Sequence, residues 1–510
     1  MQRLTPTHWL IGGLILVKLI IHFATNTFYG LHRDEFLYVS EGEYLGWGYM
    51  EGPPMIAWLA KAAILLGKTS FTVRLLPALA GVLSILLVVR LVKHLGGSLS
   101  AQALAGLAVL FSPTMLGSNT LFQPVSFNQL GWLSLTYLLV RLYQTQNPRY
   151  WYGLGIVAGL GLLTKYSIAF WAVGLALSLL WAPNRKWLTT RHPYIALGIA
   201  LLMFLPNFLW QVNHSWPLLA HMEELRATQL VNVKPINFII SQLQTQGAFL
   251  FVWLPGLIAP VLVKPMRSYA WLSVAYCSTL ILLLFLSGKS YYLYGAYTSL
   301  FVLGALAWDH WLKQSRKTLV LGAVMVLFTV PLLPLAIPIL PLDTMVKFGQ
   351  FVRDDVGLVG PFRWEDGEMH DLRQDYADMH GWEEMVQNVA KHYHSLSPEE
   401  QAQTHLYGGS YGHAGAINFY REKYDLPEAH SFSASFVMWI PEEFPYTRQI
   451  QIDDNWQESS DFFAEFVFVD SNRHEWARDP GYIYDKAEPQ IDIPPAWKEL
   501  VRAEKAEFGF

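Results

Sequence analysis

Apolar runs of about 17–25 residues recur from the start of the chain to residue 340 and then cease. Each is long enough to cross a bilayer as a helix. Eleven are predicted, at roughly 8–28, 72–92, 101–119, 124–143, 150–165, 166–182, 193–212, 247–263, 269–287, 290–309 and 318–340. The first continues without a small-residue cleavage site, so it reads as a span rather than a removable signal. Two connecting stretches are long. In 29–71, helices are predicted over 34–45 and 55–66, parted by the breaker run Gly46-Trp-Gly-Tyr-Met-Glu51-Gly-Pro-Pro54. The second of these helices has an apolar face but is too short to span, which predicts a helix lying on the membrane surface. The other long stretch, 213–246, is amphipathic.

Beyond residue 341 the periodicity alternates between helix and strand. A helix is predicted over 381–393, and Ser397-Pro-Glu-Glu400 supplies a helix start with cap, proline and acid in the favoured order. Residues 404–407 and 466–469 read as short buried strands. The predicted fold is a polytopic α-helical membrane protein of about eleven spans, residues 1–340, followed by a soluble α/β domain, residues 341–510.

Charge sharpens this division. Only 15% of the 510 residues are charged, against about 25% in soluble domains. Residues 1–340 hold 22 Lys+Arg and 8 Asp+Glu; residues 341–510 hold 14 and 32. If the N-terminus is cytoplasmic, the basic residues Arg90, Lys93, Arg141, Arg149, Arg185 and Lys186 share one side of the membrane. The opposite loops carry Asp34, Glu35, Glu41, Glu43, Glu51, Glu223 and Glu224. Eleven spans place the acidic domain on that same outer side; ten or twelve would reverse it. The single cysteine, Cys277, excludes an internal disulfide and any cysteine-based metal site.

The candidate chemistry gathers at the predicted outer span ends. His32-Arg33-Asp34-Glu35 sets two carboxylates beside a membrane surface, where either can act as a general base. Acids at a helix start also serve the helix dipole, so the pair alone leaves both readings open. Arg33, Lys165 and Lys289 fall at one depth, on the side that carries the acids. A lipid-linked phosphate would explain cations there, as would snorkelling to headgroups. Tyr166, Tyr291, Tyr292 and Glu51 are candidate substrate contacts, and tyrosines also form ordinary interfacial belts. His32, Asp34, Glu35 and Glu51 form an oxygen-rich candidate set for a divalent metal. Lys18, midway along the first span, must face protein or water. Gly409-Ser-Tyr-Gly412-His-Ala-Gly415 departs from the dinucleotide-binding spacing and reads as a tight turn with close helix packing.

Taken together, Gly30-Leu-His-Arg-Asp34-Glu35-Phe-Leu-Tyr38 and Leu45-Gly-Trp-Gly-Tyr-Met-Glu-Gly-Pro53-Pro54 resemble the first outer loop of bacterial glycosyltransferase family 39. That family includes protein O-mannosyltransferases and lipid A aminoarabinose transferases, within the C-type glycosyltransferase superfamily. Gly161-Leu-Leu-Thr-Lys165-Tyr166, Gly288-Lys289-Ser-Tyr-Tyr292 and Tyr376-Ala-Asp-Met-His-Gly-Trp-Glu-Glu-Met385 extend the resemblance in chain order. It implies a multi-pass enzyme of the plasma (inner) membrane, with its active site and C-terminal domain extracytoplasmic. The implied donor is a polyprenyl-monophosphate sugar, transferred with inversion to an unknown acceptor. Membrane lipids are expected partners and nucleic acid is not. Asp34 would be the catalytic carboxylate and Glu35 its partner, with Lys165 and Lys289 toward the donor phosphate. One departure stands out: the short outer stretch Asn119-Thr-Leu-Phe-Gln123-Pro-Val-Ser-Phe-Asn128 lacks the acid that relatives often place there. A transporter of a lipid-linked or anionic substrate is the main alternative, but no inverted repeat is visible. A non-catalytic assembly factor is the third.

Overall fold

A computed structural model describes residues 4–510, apart from 179, 181–183, 229 and 231–233. The chain divides into two compact units. The first comprises Met1–Asn26, Arg74–Phe208 and Glu223–Ile339; the second comprises Thr27–Val73, Leu209–Met222 and Leu340–Phe510. The acidic loop predicted between the first two spans therefore folds with the C-terminal residues.

The first unit is helical. By length and composition, five described helices can cross a membrane: Pro6–Thr25, Ser70–His94, His192–Asn213, Lys264–Phe285 and Ser315–Leu335. The count reaches seven if each of two bent pairs is one span. Leu99–Phe111 and Pro113–Thr120 meet at 52°, and Pro235–Gln244 and Gly247–Leu262 at 101°. Proline explains the first bend, since Pro113 cannot donate to the preceding turn. Several of the eleven apolar runs instead form helices under 18 residues, such as Arg149–Thr164 and Tyr297–Leu312. The core is rich in aromatic side chains, with Trp132 stacked on Trp171 at 5.2 Å. Lys18 is fully buried and packs with Asn119 around Gly81, so the cation faces protein.

The second unit holds both loop helices, Arg33–Glu43 and Met55–Leu65, with the breaker run between them. It also contains a five-stranded sheet: β1 (Thr404–Gly408), β2 (Ala429–His430), β3 (Arg448–Asp453), β4 (Phe463–Asp470) and β5 (Tyr482–Pro489). The order is β2-β1-β3-β5-β4, with β1 parallel to β2 and β3, and β5 antiparallel to β3 and β4. The predicted helix is found at Trp382–Tyr393, and Ser397 and Glu400 form a reciprocal capping box. One expectation is corrected. Residues 466–469 do form strand, but β4 is the sheet edge and Val467 and Phe468 are exposed. An edge strand buries less of its side-chain surface than its hydrophobicity suggests.

Candidate active site

The helix Arg33–Glu43 starts with a closed capping box. His32 Nδ1 accepts from the Asp34 N–H at 3.1 Å, and Glu35 Oε2 accepts from the His32 N–H at 2.8 Å. These bonds satisfy donors that a helix N-terminus otherwise leaves open. Glu35 is fully buried and its carboxylate fixes the turn, whereas the Asp34 side chain is one-third exposed. The turn thus holds one acid in place and presents the other. Asp34 Oδ1 accepts from the Tyr411 hydroxyl at 2.9 Å. Tyr411 titrates well above the usual phenol range, because of burial and then the Asp34 charge, so it remains a donor.

Three distant motifs meet here. A Cβ on Gly30 would come within 2.4 Å of the Met379 carbonyl oxygen, so the chain passes where only glycine fits. The Arg33 N–H donates to the Asp378 carbonyl, and His32 Nε2 lies 3.7 Å from Asp378 Oδ2. Arg478 pairs with the same carboxylate at 3.1 Å. Burial still raises the Asp378 carboxyl above its ordinary value despite both cations. The Gly-x-x-Gly-x-x-Gly run lies against the helix Arg33–Glu43. A Cβ on Gly412 would meet Trp382 and Arg33, and one on Gly415 would meet Phe36, all within 3 Å. Close packing accounts for these glycines.

Arg33 lies over the Tyr411 ring at 4.9 Å, and its Nη2 is 3.6 Å from Asp454 Oδ2. The cation expected at a phosphate is thus neutralised by a carboxylate of its own unit. Glu51 accepts from the N–H and hydroxyl of Ser435 at 2.8 and 2.5 Å. Its neighbour Glu41 is fully buried and held well above the usual carboxylate range, first by burial and then by Glu51. Of the expected metal set, Glu35 and Glu51 therefore engage backbone or serine groups. A different trio converges among the described residues: His413, Asp454 and Asp479, with potential ligand atoms all within 4.8 Å of one another.

The first unit carries the lysine motifs. Lys165 follows the helix Arg149–Thr164 in extended conformation, and its Nζ lies 5.3 Å from the ring centres of both Tyr291 and Tyr292. Those rings sit just after Lys289, which precedes the 3₁₀ turn Ser290–Ala296. The 160s and 290s motifs thus come together, and tyrosine faces stabilise the ammonium without cancelling its charge. Tyr166 donates to Asn207 Oδ1 at 2.9 Å. Sequence reasoning missed Tyr411, Asp378, Asp454 and Asp479. Asp378 lies in a resembling motif and Tyr411 in the glycine run, so both were within reach; the other two end or begin loops with no pattern of their own.

Residues 51–210 match the family model for dolichyl-phosphate-mannose-protein mannosyltransferases. The chain is 25% identical over 229 residues to the lipid A galacturonosyltransferase RgtD of Rhizobium johnstonii, a match spanning 42% of this chain and 47% of that relative. It thus spans about half the length of the curated relative. Among solved structures, ArnT of Cupriavidus metallidurans bound to undecaprenyl phosphate aligns with TM-score 0.61 at 13% identity, covering 96% of this chain and 99% of ArnT. Its apo state aligns with TM-score 0.55 at 14% identity over 92% and 96%. Identities this low show a shared fold.

Proposed function

We propose, from the premise that the chain belongs to the C-type glycosyltransferase superfamily, that it is an integral membrane enzyme transferring a sugar from a polyprenyl-monophosphate donor to an acceptor hydroxyl. Transfer takes place on the outer side of the plasma (inner) membrane, and the anomeric centre inverts. The C-terminal residues lie on that same outer side. The observation that carries this reading is Asp34: a part-exposed carboxylate on a capped helix start, aimed by the Tyr411 hydroxyl.

In the proposed reaction Asp34 takes the proton of the acceptor hydroxyl. The acceptor oxygen forms a bond to the anomeric carbon while the bond from that carbon to the phosphate oxygen breaks. The polyprenyl phosphate leaves with the bonding electrons. A phosphate monoester has its second pKa near about 6, so it departs without a general acid. Lys165 and Lys289 supply fixed positive charge to the leaving phosphate. Glu35 acts through the helix start, as a positioning residue. Donors with phosphate-linked polyprenyl chains fit the matched family and the ligand named for ArnT.

The test uses the purified full chain with a polyprenyl-phosphate sugar and a panel of lipid and glycan acceptors. Asp34→Asn should lower turnover by at least about 100-fold, within the range for loss of a general base, with unchanged expression and circular dichroism. Near-normal turnover in that variant removes Asp34 from the base role.

A further inference from the structure

The carboxyl ends of the parallel strands β1 and β3 open onto one edge of the sheet. After β1 the chain runs through the helix Tyr411–Tyr424 to β2 on one side, while β3 lies on the other. Such a reversal leaves a crevice at the strand ends, the recurrent ligand position in open α/β sheets. Three side chains meet there: His413 from the first turn of that helix, Asp454 just after β3 and Asp479 just before β5. His413 Nε2 is 3.0 Å from Asp479 Oδ1 and 3.3 Å from Asp454 Oδ1. Ligands about 2.0–2.2 Å from a tetrahedral ion stand roughly 3.3–3.6 Å apart, close to these spacings.

Two further observations point to a missing ligand. Asp479 Oδ2 is buried and has no hydrogen-bond donor, on a side chain only 8% exposed, and the buried Asp454 Oδ1 has only the His413 imidazole, at 3.3 Å. Buried carboxylate oxygens without partners are costly. The far side of the imidazole is also arranged: Ser410 Oγ lies 3.2 Å from His413 Nδ1 and can accept a hydrogen bond from it, the tautomer in which Nε2 would bind an ion.

We propose that His413, Asp454 and Asp479 bind one divalent transition-metal ion. One imidazole nitrogen with two carboxylates suits zinc or manganese; magnesium and calcium favour all-oxygen shells. The ion ties the ends of β1, β3 and β5 together. It also draws Asp454 away from Arg33, whose guanidinium covers Tyr411, the hydrogen-bond partner of Asp34. The site lies on the same unit as that carboxylate and is distinct from it.

The experiment takes the full chain in detergent, strips it with a chelator and returns Zn²⁺ or Mn²⁺ separately. Metal per chain is read by elemental analysis and, for Mn²⁺, by electron paramagnetic resonance. One ion per chain is expected, together with a rise in unfolding temperature. Asp479→Asn and His413→Gln should each weaken binding by about 100-fold or more, since altering even an outer-shell partner costs 10–100-fold. Asp454→Asn, at the most exposed ligand, gives the same reading should the buried variants fail to fold. Asp34→Asn should keep the full metal content while losing transfer, so this site and the transfer reading fail independently. A wild-type chain that retains no ion at micromolar metal, or retention unchanged in Asp454→Asn, overturns the proposal.

Discussion

The two units hold their polar groups in contrasting ways. In the first, Lys165 at the end of one helix meets two tyrosine faces, both from a single short turn far along the chain. In the second, Asp34 depends on partners several hundred residues away, among them Tyr411, while His32 and Arg33 engage Asp378. An apolar helical setting is rich in aromatic faces, and the Lys165 cation lies beside two of them. A mixed sheet-and-helix setting brings loops from anywhere in the chain to one edge. Both groupings are products of long-range folding, and they differ in what faces the charge: tyrosine rings in the first unit, hydrogen-bonding and ionic partners in the second.

The contrast can be broken from either side. The largest expected effect is the double substitution Lys165→Met with Lys289→Met. It should reduce kcat/KM for the lipid-linked donor by about 10²–10³-fold, the scale of losing an electrostatic stabiliser, with acceptor affinity unchanged. Steady-state kinetics at varied donor concentration read this directly, and an unaltered donor dependence would deny the lysines their role.

Next comes Asp485, a buried residue of β5 opposite Ile450 of β3. It takes a two-point bond from Arg448 at 2.8 and 2.9 Å and lies 2.7 Å from His392. Burial alone would raise its carboxyl, but His392 and Arg448 outweigh it and hold it below the ordinary 3.8. A lowered carboxyl contributes stability that is present above about pH 4 and is lost as pH falls through the lower folded value. Asp485→Asn should cost about 2–3 kcal/mol at neutral pH, as for hydrogen bonds to charged groups. It should also flatten the acid limb of a calorimetric stability profile. The smallest effect is Tyr411→Phe. Losing one hydroxyl bond of about 1 kcal/mol should slow turnover several-fold at constant donor KM, and a changed donor KM instead would separate Tyr411 from the role proposed for Asp34.

These contacts also explain what the sequence could reveal. Spans, the loop helices and the Ser397 cap follow from periodicity and end signals, which are local. Asp34 stood out because it sits among motif residues, and Lys165 because a cation at a span end is unusual. Glu35 was legible as part of a motif, but its work on the His32 N–H follows from backbone geometry. Asp454 and Asp479 were invisible: each is an ordinary acid in an ordinary loop, and only the strand order brings them to His413. The strand β4 misled for the converse reason, since hydrophobicity suggests burial but does not say whether a strand has a second neighbour.

The 377-residue separation of Asp34 and Tyr411 also sets a schedule for biogenesis. At about 5–20 residues per second of synthesis, roughly 20–75 s pass between translation of the two. During that interval the Asp34 carboxylate lacks its phenolic donor. A ribosome that stalls before residue 411 therefore leaves the Asp34 carboxylate without the hydroxyl that donates to it.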